Sequence, residues 1–134
     1  MGLVIKAFEL AKQYCSGKRL INEYGIINDS NALNSYLTII NLLKSRNLVD
    51  GVGIQCHQFN IDTLSTSTMM SNLNTLAQTG LPIYVSELDI TGDDTTQANR
   101  YKEKFPILHD HANVQALPSG DISRVRPGKI ILTW

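Results

Sequence analysis

Gly80-Leu81-Pro82-Ile83-Tyr84-Val85-Ser86-Glu87-Leu88-Asp89-Ile90 is a short apolar run that climbs toward two carboxylates. Gly80 and Pro82 punctuate its start, and the β-branched and aromatic residues Ile83, Tyr84 and Val85 suit a buried strand of ordinary length. Strict alternation predicts that Ile83, Val85, Glu87 and Asp89 share one face while Tyr84, Ser86 and Leu88 share the other, so an apolar line finishes in a pair of acids. Those acids fall at the C-terminal end of the strand. In α/β architectures chemistry is placed there, because the loops at that end vary without disturbing the packed strands beneath them. Taken alone, the same two acids would equally mark the point where a strand reaches water.

Upstream, Asp50-Gly51 turns the chain into Val52-Gly53-Ile54-Gln55-Cys56-His57, where Val52, Ile54 and Cys56 alternate with Gly53, Gln55 and His57. Between the two runs Met69, Leu73, Leu76 and Ala77 recur at helical spacing and Gly80 closes the pattern. Further back, Val4, Ala7, Phe8, Ala11, Tyr14 and Cys15 outline a helix ended by Gly17, and Leu20 to Tyr24 reads as a strand before Gly25. The cap-rich cluster Asn28-Asp29-Ser30-Asn31 then opens a second helix through Leu33, Tyr36, Leu37, Ile40 and Leu43, which should end near Asn47. Strands separated by helices mean βαβ crossovers and a parallel sheet. In such a sheet the polar face of Gln55 and His57 is expected to look into a barrel interior or a cleft.

Downstream, Asp94 and Gln97 have the spacing of a capping box, and Ala98, Tyr101, Phe105 and Leu108 form a fourth helical stripe that Pro106 is expected to bend or end early. The pattern then degrades. His109 to Asn113 and Pro118 to Asp121 read as loop, Arg124 to Gly128 is basic and punctuated by proline, and Lys129 to Trp134 has the make-up of a last strand. A βα series that begins on a helix and ends on a strand lacks natural boundaries and is expected to be a fragment of a larger architecture.

With 134 residues, 43% of them hydrophobic and 18% charged, the chain is large enough for one domain with a core. Its 12 basic and 12 acidic residues cancel, which gives no reason to expect a nucleic acid partner. Cys15 and Cys56 have no metal-ligand spacing, and both are expected to be buried thiols. Nothing in the residues asks for a metal or another cofactor. No strand is followed by a Gly-rich phosphate turn, which weakens a nucleotide-binding doubly wound fold. No run of eighteen apolar residues is present to span a membrane, and the N-terminus leads into an amphipathic pattern rather than a signal peptide. A chain beginning in the middle of a longer one would look the same.

Three ordered motifs carry a resemblance. Ile21-Asn22-Glu23-Tyr24, the run from Asp50 to His57 and the run from Leu81 to Ile90 resemble the second half of glycoside hydrolase family 10, the endo-β-1,4-xylanases built on a (β/α)8 TIM barrel. The likeness extends from about Ala7 to Val114 and takes in the helices at Ala7-Phe8-Glu9-Leu10-Ala11 and Asn99-Arg100-Tyr101-Lys102-Glu103-Lys104-Phe105. It implies an α/β fold, a partial barrel of about strands five to eight. Residues 1–114 would be the C-terminal half, and residues 115–134 a divergent tail with a possible last barrel strand.

The resemblance also implies roles. The nucleophile of a retaining glycosidase falls on Glu87, and His57 sits between it and Asp89, where it would hold the carboxylate's rotamer and bias its ionisation. Gln55 is placed to reach sugar hydroxyls, Asn22 and Tyr24 are expected to face the barrel interior and bind substrate there, and Trp134 is the counterpart of a tryptophan that walls the sugar site unless the tail is unrelated sequence. Asn22-Glu23 imitates the Asn-Glu pair that carries the family's acid/base, but that pair ends the fourth strand and Glu23 belongs to the fifth. By parity Glu23 also points away from Asn22 and Tyr24. The acid/base would then lie outside this chain, leaving it nearly inactive alone, since general acid catalysis is typically worth about 10²–10⁴-fold. The implied substrate is xylan or a xylooligosaccharide, and the parent enzyme is expected to be secreted or periplasmic. A non-catalytic half-barrel is the alternative, with self-association through open sheet edges at Leu20 and Ile130.

Overall fold

A computed structural model describes residues 2–117. In chain order it contains α1 (Gly2–Tyr14), β1 (Leu20–Tyr24), α2 (Ser30–Ser45), β2 (Gly51–Cys56), α3 (Gln58–Ile61), α4 (Thr66–Ala77), β3 (Ile83–Leu88), α5 (Asp94–His109) and β4 (Val114–Ala116). The four strands form one parallel sheet in the order β1-β2-β3-β4. Each crossover therefore lays its strand beside the last and in the same direction. A doubly wound sheet reverses that order at a switch point, and no reversal occurs among the described strands.

One face of this sheet is the core. Ile21, Val52, Ile54, Cys56, Ile83 and Val85 are buried against Phe8 of α1, Tyr36 and Ile40 of α2, and Met69 and Leu73 of α4. Each fully buried aliphatic or aromatic side chain contributes roughly 1.5–3 kcal/mol relative to exposure, so this face supplies most of the drive to fold. Tyr36 fastens α2 to the sheet. Its hydroxyl lies 2.9 Å from the Ile21 carbonyl and 3.0 Å from that of Gly53, and burial, then the charge of Glu23, pushes its ionisation well above the usual phenol range. At the sheet's lower edge Asp50 accepts from the Arg19 backbone N–H at 2.8 Å and pairs with the guanidinium at 3.0 Å, which aligns the starts of β1 and β2.

The helix ends follow their cap residues. Asp29 caps α2 by accepting from the N–H groups of Asn31 and Ala32. At the far end Asn47 takes a left-handed φ of 54°, its N–H bonds the Lys44 carbonyl at 2.9 Å, and the Leu48 N–H bonds that of Leu43 at 3.0 Å. That double closure is the Schellman pattern.

Several expectations are corrected. The cap of α5 is Asp93, which accepts from the Thr96 N–H, while Gln97 instead donates to the Ile90 carbonyl. The helix also continues through Pro106 to His109. The proline sits on an exposed face of the last turns, so water can take the carbonyl it leaves without a helical donor. Cys15 is exposed because it follows the last residue of α1, whereas Cys56 is buried. A short strand, β4, occupies residues 114–116 and pairs with β3. The strand expected at Lys129 to Trp134 lies outside the described residues.

The largest correction concerns parity. Val52 pairs with Ile83 and Ile54 with Val85, but Gln55 then pairs with Glu87, so β3 carries one extra residue, Ser86. This bulge reverses the phase of everything after it. Ile83 and Val85 face the helices, whereas Glu87 comes out on the opposite face beside Gln55 and in line with Tyr84. Leu88, paired with Cys56, returns to the helix side.

Candidate active site

The face turned away from the helices is built in layers. Asn22, Gly53 and Tyr84 are level with one another, and Tyr24, Gln55 and Glu87 make the next layer toward the strand ends. Gly53 is small because it has to be. A Cβ there would stand 2.5 Å from Asn22 Oδ1, and one at Gly51 would stand 2.5 Å from Leu20 and 2.8 Å from Tyr84.

Glu87 is held from two sides. Gln55 Nε2 donates to its Oε1 at 2.8 Å, and His57 Nε2 lies 3.1 Å from its Oε2. The other ring nitrogen of His57 lies 2.8 Å from Asp89 Oδ1, and Asp89 Oδ2 accepts from the Gln58 N–H at 3.2 Å. An imidazolium would donate to both carboxylates, whereas the neutral ring would set one lone pair against an acid. His57 owes its position to the end of β2, where extended backbone at the cap of α3 turns the ring toward β3. Phe59 of α3 stacks on that ring with centroids 5.3 Å apart and planes 15° from parallel. The Glu87 side chain remains 42% exposed, so one reactive oxygen edge can still be approached from the open face.

Thus the structure brings Gln55, His57, Glu87 and Asp89 together. Tyr24 borders them by register and is largely exposed. Asn22 lies one layer below, buried, with Ser86 Oγ donating to its Oδ1 at 2.9 Å. Glu23 is not in the cluster. It pairs with Ile54 on the helix side, and its carboxylate accepts from the Tyr24 N–H at 2.9 Å. Trp134 lies outside the described residues. Cys56 offers no nucleophile, for burial and then the nearby Asp89 charge push its thiol up to about 12. Among the described residues no group of three or more His, Cys, Asp or Glu side chains is placed to hold a metal ion.

Three participants were not singled out from sequence: Phe59, Ser86 and Gly53. A glycine inside a strand is itself a sign of close approach, which Gly53 displays. Phe59 and Ser86 gave no comparable signal, since one reads as an ordinary aromatic and the other as one more alternating residue.

Parallel strands added side by side without reversal are what a closing βα barrel is made of, and they place the chain in that class of α/β proteins. Within it the chain belongs to glycosyl hydrolase family 10, whose sequence model matches residues 2–123. It is 33% identical over 117 residues to endo-1,4-beta-xylanase B of Cellvibrio japonicus, covering 84% of this chain and 18% of that protein. Native xylanase 10B from Thermotoga maritima is similar with a TM-score of 0.68 and 28% identity, over 84% of this chain and 38% of that one. Xylanase 10B from Thermotoga petrophila RKU-1, solved in complex with xylobiose, gives 0.68 and 26% over 86% and 38%. The chain therefore spans well under half the length of these relatives, and the fold is a partial TIM barrel.

Proposed function

We propose that this chain carries the nucleophile-bearing half of a retaining hydrolase that cleaves internal β-1,4-xylosidic bonds, with β1 to β3 serving as the barrel's fifth to seventh strands. The observation that carries the reading is the suspended Glu87 carboxylate, with Gln55 on one oxygen, His57 on the other and Asp89 behind the imidazole. In a retaining reaction Glu87 attacks the anomeric carbon and forms a glycosyl ester while the bond to the leaving oxygen breaks. A second carboxyl about 5–5.5 Å away gives that oxygen a proton, then takes one from the water that cleaves the ester. His57 and Asp89 fix the rotamer from which Glu87 attacks, and Gln55 keeps a second N–H and its amide oxygen for a sugar hydroxyl.

The acid/base belongs on a strand outside the described residues. Asp89 is committed to His57 and the Gln58 N–H, and Glu23 points to the helix side. The chain alone is accordingly expected to cleave xylan at least about 10²-fold more slowly than a barrel supplied with that carboxyl. The experiment mixes the chain with a family 10 first half and follows xylooligosaccharide cleavage. Glu87→Ala should reduce the rate to background, and equal rates for Glu87→Ala and the parent would remove Glu87 from catalysis. A second reading, a non-catalytic half-barrel that assembles through its edges, draws on the outer sides of β1 and β4, which have no neighbour among the described strands. It requires association of the chain with no cleavage in any mixture.

A further inference from the structure

We propose that Asn22, Gly53 and Ser86 form a positioning bridge beneath Glu87, which fixes the bulge in β3 and so the aim of the carboxylate. The meaning of that aim for catalysis rests on the reading of Glu87 given above; the geometry does not. β1 and β3 are not neighbours, for β2 lies between them. The Asn22 side chain nevertheless reaches Ser86 Oγ at 2.9 Å, across residues 64 apart in sequence. It passes directly over Gly53, where a Cβ would stand 2.5 Å from Oδ1 and 2.9 Å from Cγ. Only glycine leaves that path open.

Ser86 is the extra residue of the bulge, and its hydroxyl also lies 3.2 Å from the Ile54 carbonyl, at the step where the β2 to β3 pairing shifts. One hydroxyl proton serves one acceptor well. Meanwhile Asn22 Nδ2 is buried without a hydrogen-bond partner among the described residues. Turning the Asn22 amide over settles both difficulties: Nδ2–H then donates to Ser86 Oγ, and the Ser86 proton goes to Ile54. The atom left unpartnered is a carbonyl oxygen, a milder defect than an orphaned N–H. In either orientation the bridge pins Ser86 toward β1.

Pinning Ser86 has one consequence for chemistry. Unbulged, β3 would send Glu87 to the helix face with Ile83 and Val85, away from Gln55. Bulged, it stands level with Gln55 and accepts its amide at 2.8 Å. Asn22 is thereby a positioning residue rather than a sugar ligand, since only 5% of it is exposed.

The test reads the Gln55 side-chain amide, which reports where Glu87 sits without requiring turnover. In ¹⁵N-labelled full chain, the Gln55 Nε2 proton facing Glu87 should resonate downfield of a free amide. Ser86→Ala should lose that downfield signal and Ser86→Thr, which keeps the hydroxyl, should restore it, with Asn22→Ala repeating the loss from the other end. An unchanged Gln55 signal in both alanine variants would overturn the proposal. So would variants that lose folded signals throughout, because the bridge would then be a general fold element. In the mixture with a first half, Ser86→Ala should lower kcat and leave KM near the parent value. Loss of the Gln55 signal in a protein whose activity ignores Glu87→Ala would keep the bridge and sink the nucleophile reading, so the two failures are distinct.

Discussion

Gly53→Ala tests the layer beneath the site at its tightest point. The new Cβ would stand 2.5, 2.9 and 3.0 Å from Oδ1, Cγ and Cβ of Asn22, so the asparagine must move and its contact with Ser86 must go. Forcing a methyl into packed space costs about 1–3 kcal/mol, and the lost hydrogen bond adds about 0.5–1.5. Gly53 does not occupy left-handed backbone, so alanine also restrains the unfolded chain and offsets about 0.4–1 kcal/mol. The net expectation is a loss of about 2–3 kcal/mol. With a urea slope of about 1–3 kcal/mol per molar, the midpoint falls by roughly 1 M or somewhat more. Urea titration followed by circular dichroism reads this directly. Gly80→Ala is the control, since its φ of 71° adds strain but no atom of the described residues beyond its chain neighbours lies within 4 Å of the new methyl, and it should cost only about 1–2 kcal/mol. The decisive comparison is the double variant Asn22→Ala with Gly53→Ala. Asn22→Ala removes the two closest contacts, Oδ1 at 2.5 Å and Cγ at 2.9 Å, and leaves only Cβ at 3.0 Å, so the second substitution should cost less than it does alone and the cycle should show coupling of about 1–2 kcal/mol. Costs that add to within about 0.5 kcal/mol would refute the close approach.

Other expectations are quicker to check. Tyr36→Phe removes a buried hydroxyl facing two strand carbonyls and should cost about 1–3 kcal/mol in urea titrations. The folded chain holds the Tyr36 proton longer than the unfolded chain does, so stability present below pH ~10 should fall as pH climbs above it, less steeply in the phenylalanine variant. Asp93 has the opposite sense: the hydrogen bonds it accepts from Thr96, the backbone N–H first, lower its pKa, so its contribution to α5 should be present above the ordinary carboxylate range and disappear as pH falls through the lowered value. Amide exchange in the first turn of α5 at acid pH, compared with Asp93→Ala, shows whether it does. A thiol reagent at neutral pH should label Cys15 promptly and Cys56 only on unfolding, and equal labelling rates would contradict the burial of Cys56.

Much of the fold was legible because helical stripes survive local irregularity. Leu33, Tyr36, Ile40 and Leu43 are buried together on α2 as their spacing demanded, and Met69, Leu73 and Leu76 do the same on α4. The four-residue α3 is too short to leave a period, and Asp93 and Asp94 are chemically identical cap candidates that only backbone geometry separates. The site was legible in part. Alternation placed Gln55 and His57 on a polar face, and the family resemblance placed them near Glu87. The extra residue at Ser86 defeated the same alternation on β3. Counting by twos assumes that each residue advances the pleat, and a bulge is the case in which one does not. What holds it in place, Asn22 across Gly53, depends on which strand lies between β1 and β3, and no single strand's sequence contains that.

The two faces of the sheet divide their work in a way that follows from this geometry. On the helix side Val52, Ile54, Ile83 and Val85 are buried, each contributing roughly 1.5–3 kcal/mol. Opposite them β2 presents Gly51 and Gly53, and a glycine within a strand costs roughly 0.5–1 kcal/mol against alanine. The sheet forgoes stability on the site face to gain clearance, which Leu20 and Tyr84 fill at Gly51 and Asn22 fills at Gly53. Glu87 is set by the last of these, through Ser86. Substitutions on the helix side should therefore destabilise the chain and leave the Glu87 contacts unaltered in whatever fraction folds. Substitutions at Asn22, Gly53 or Ser86 act on stability and on the aim of the carboxylate together, because the same close approach serves both.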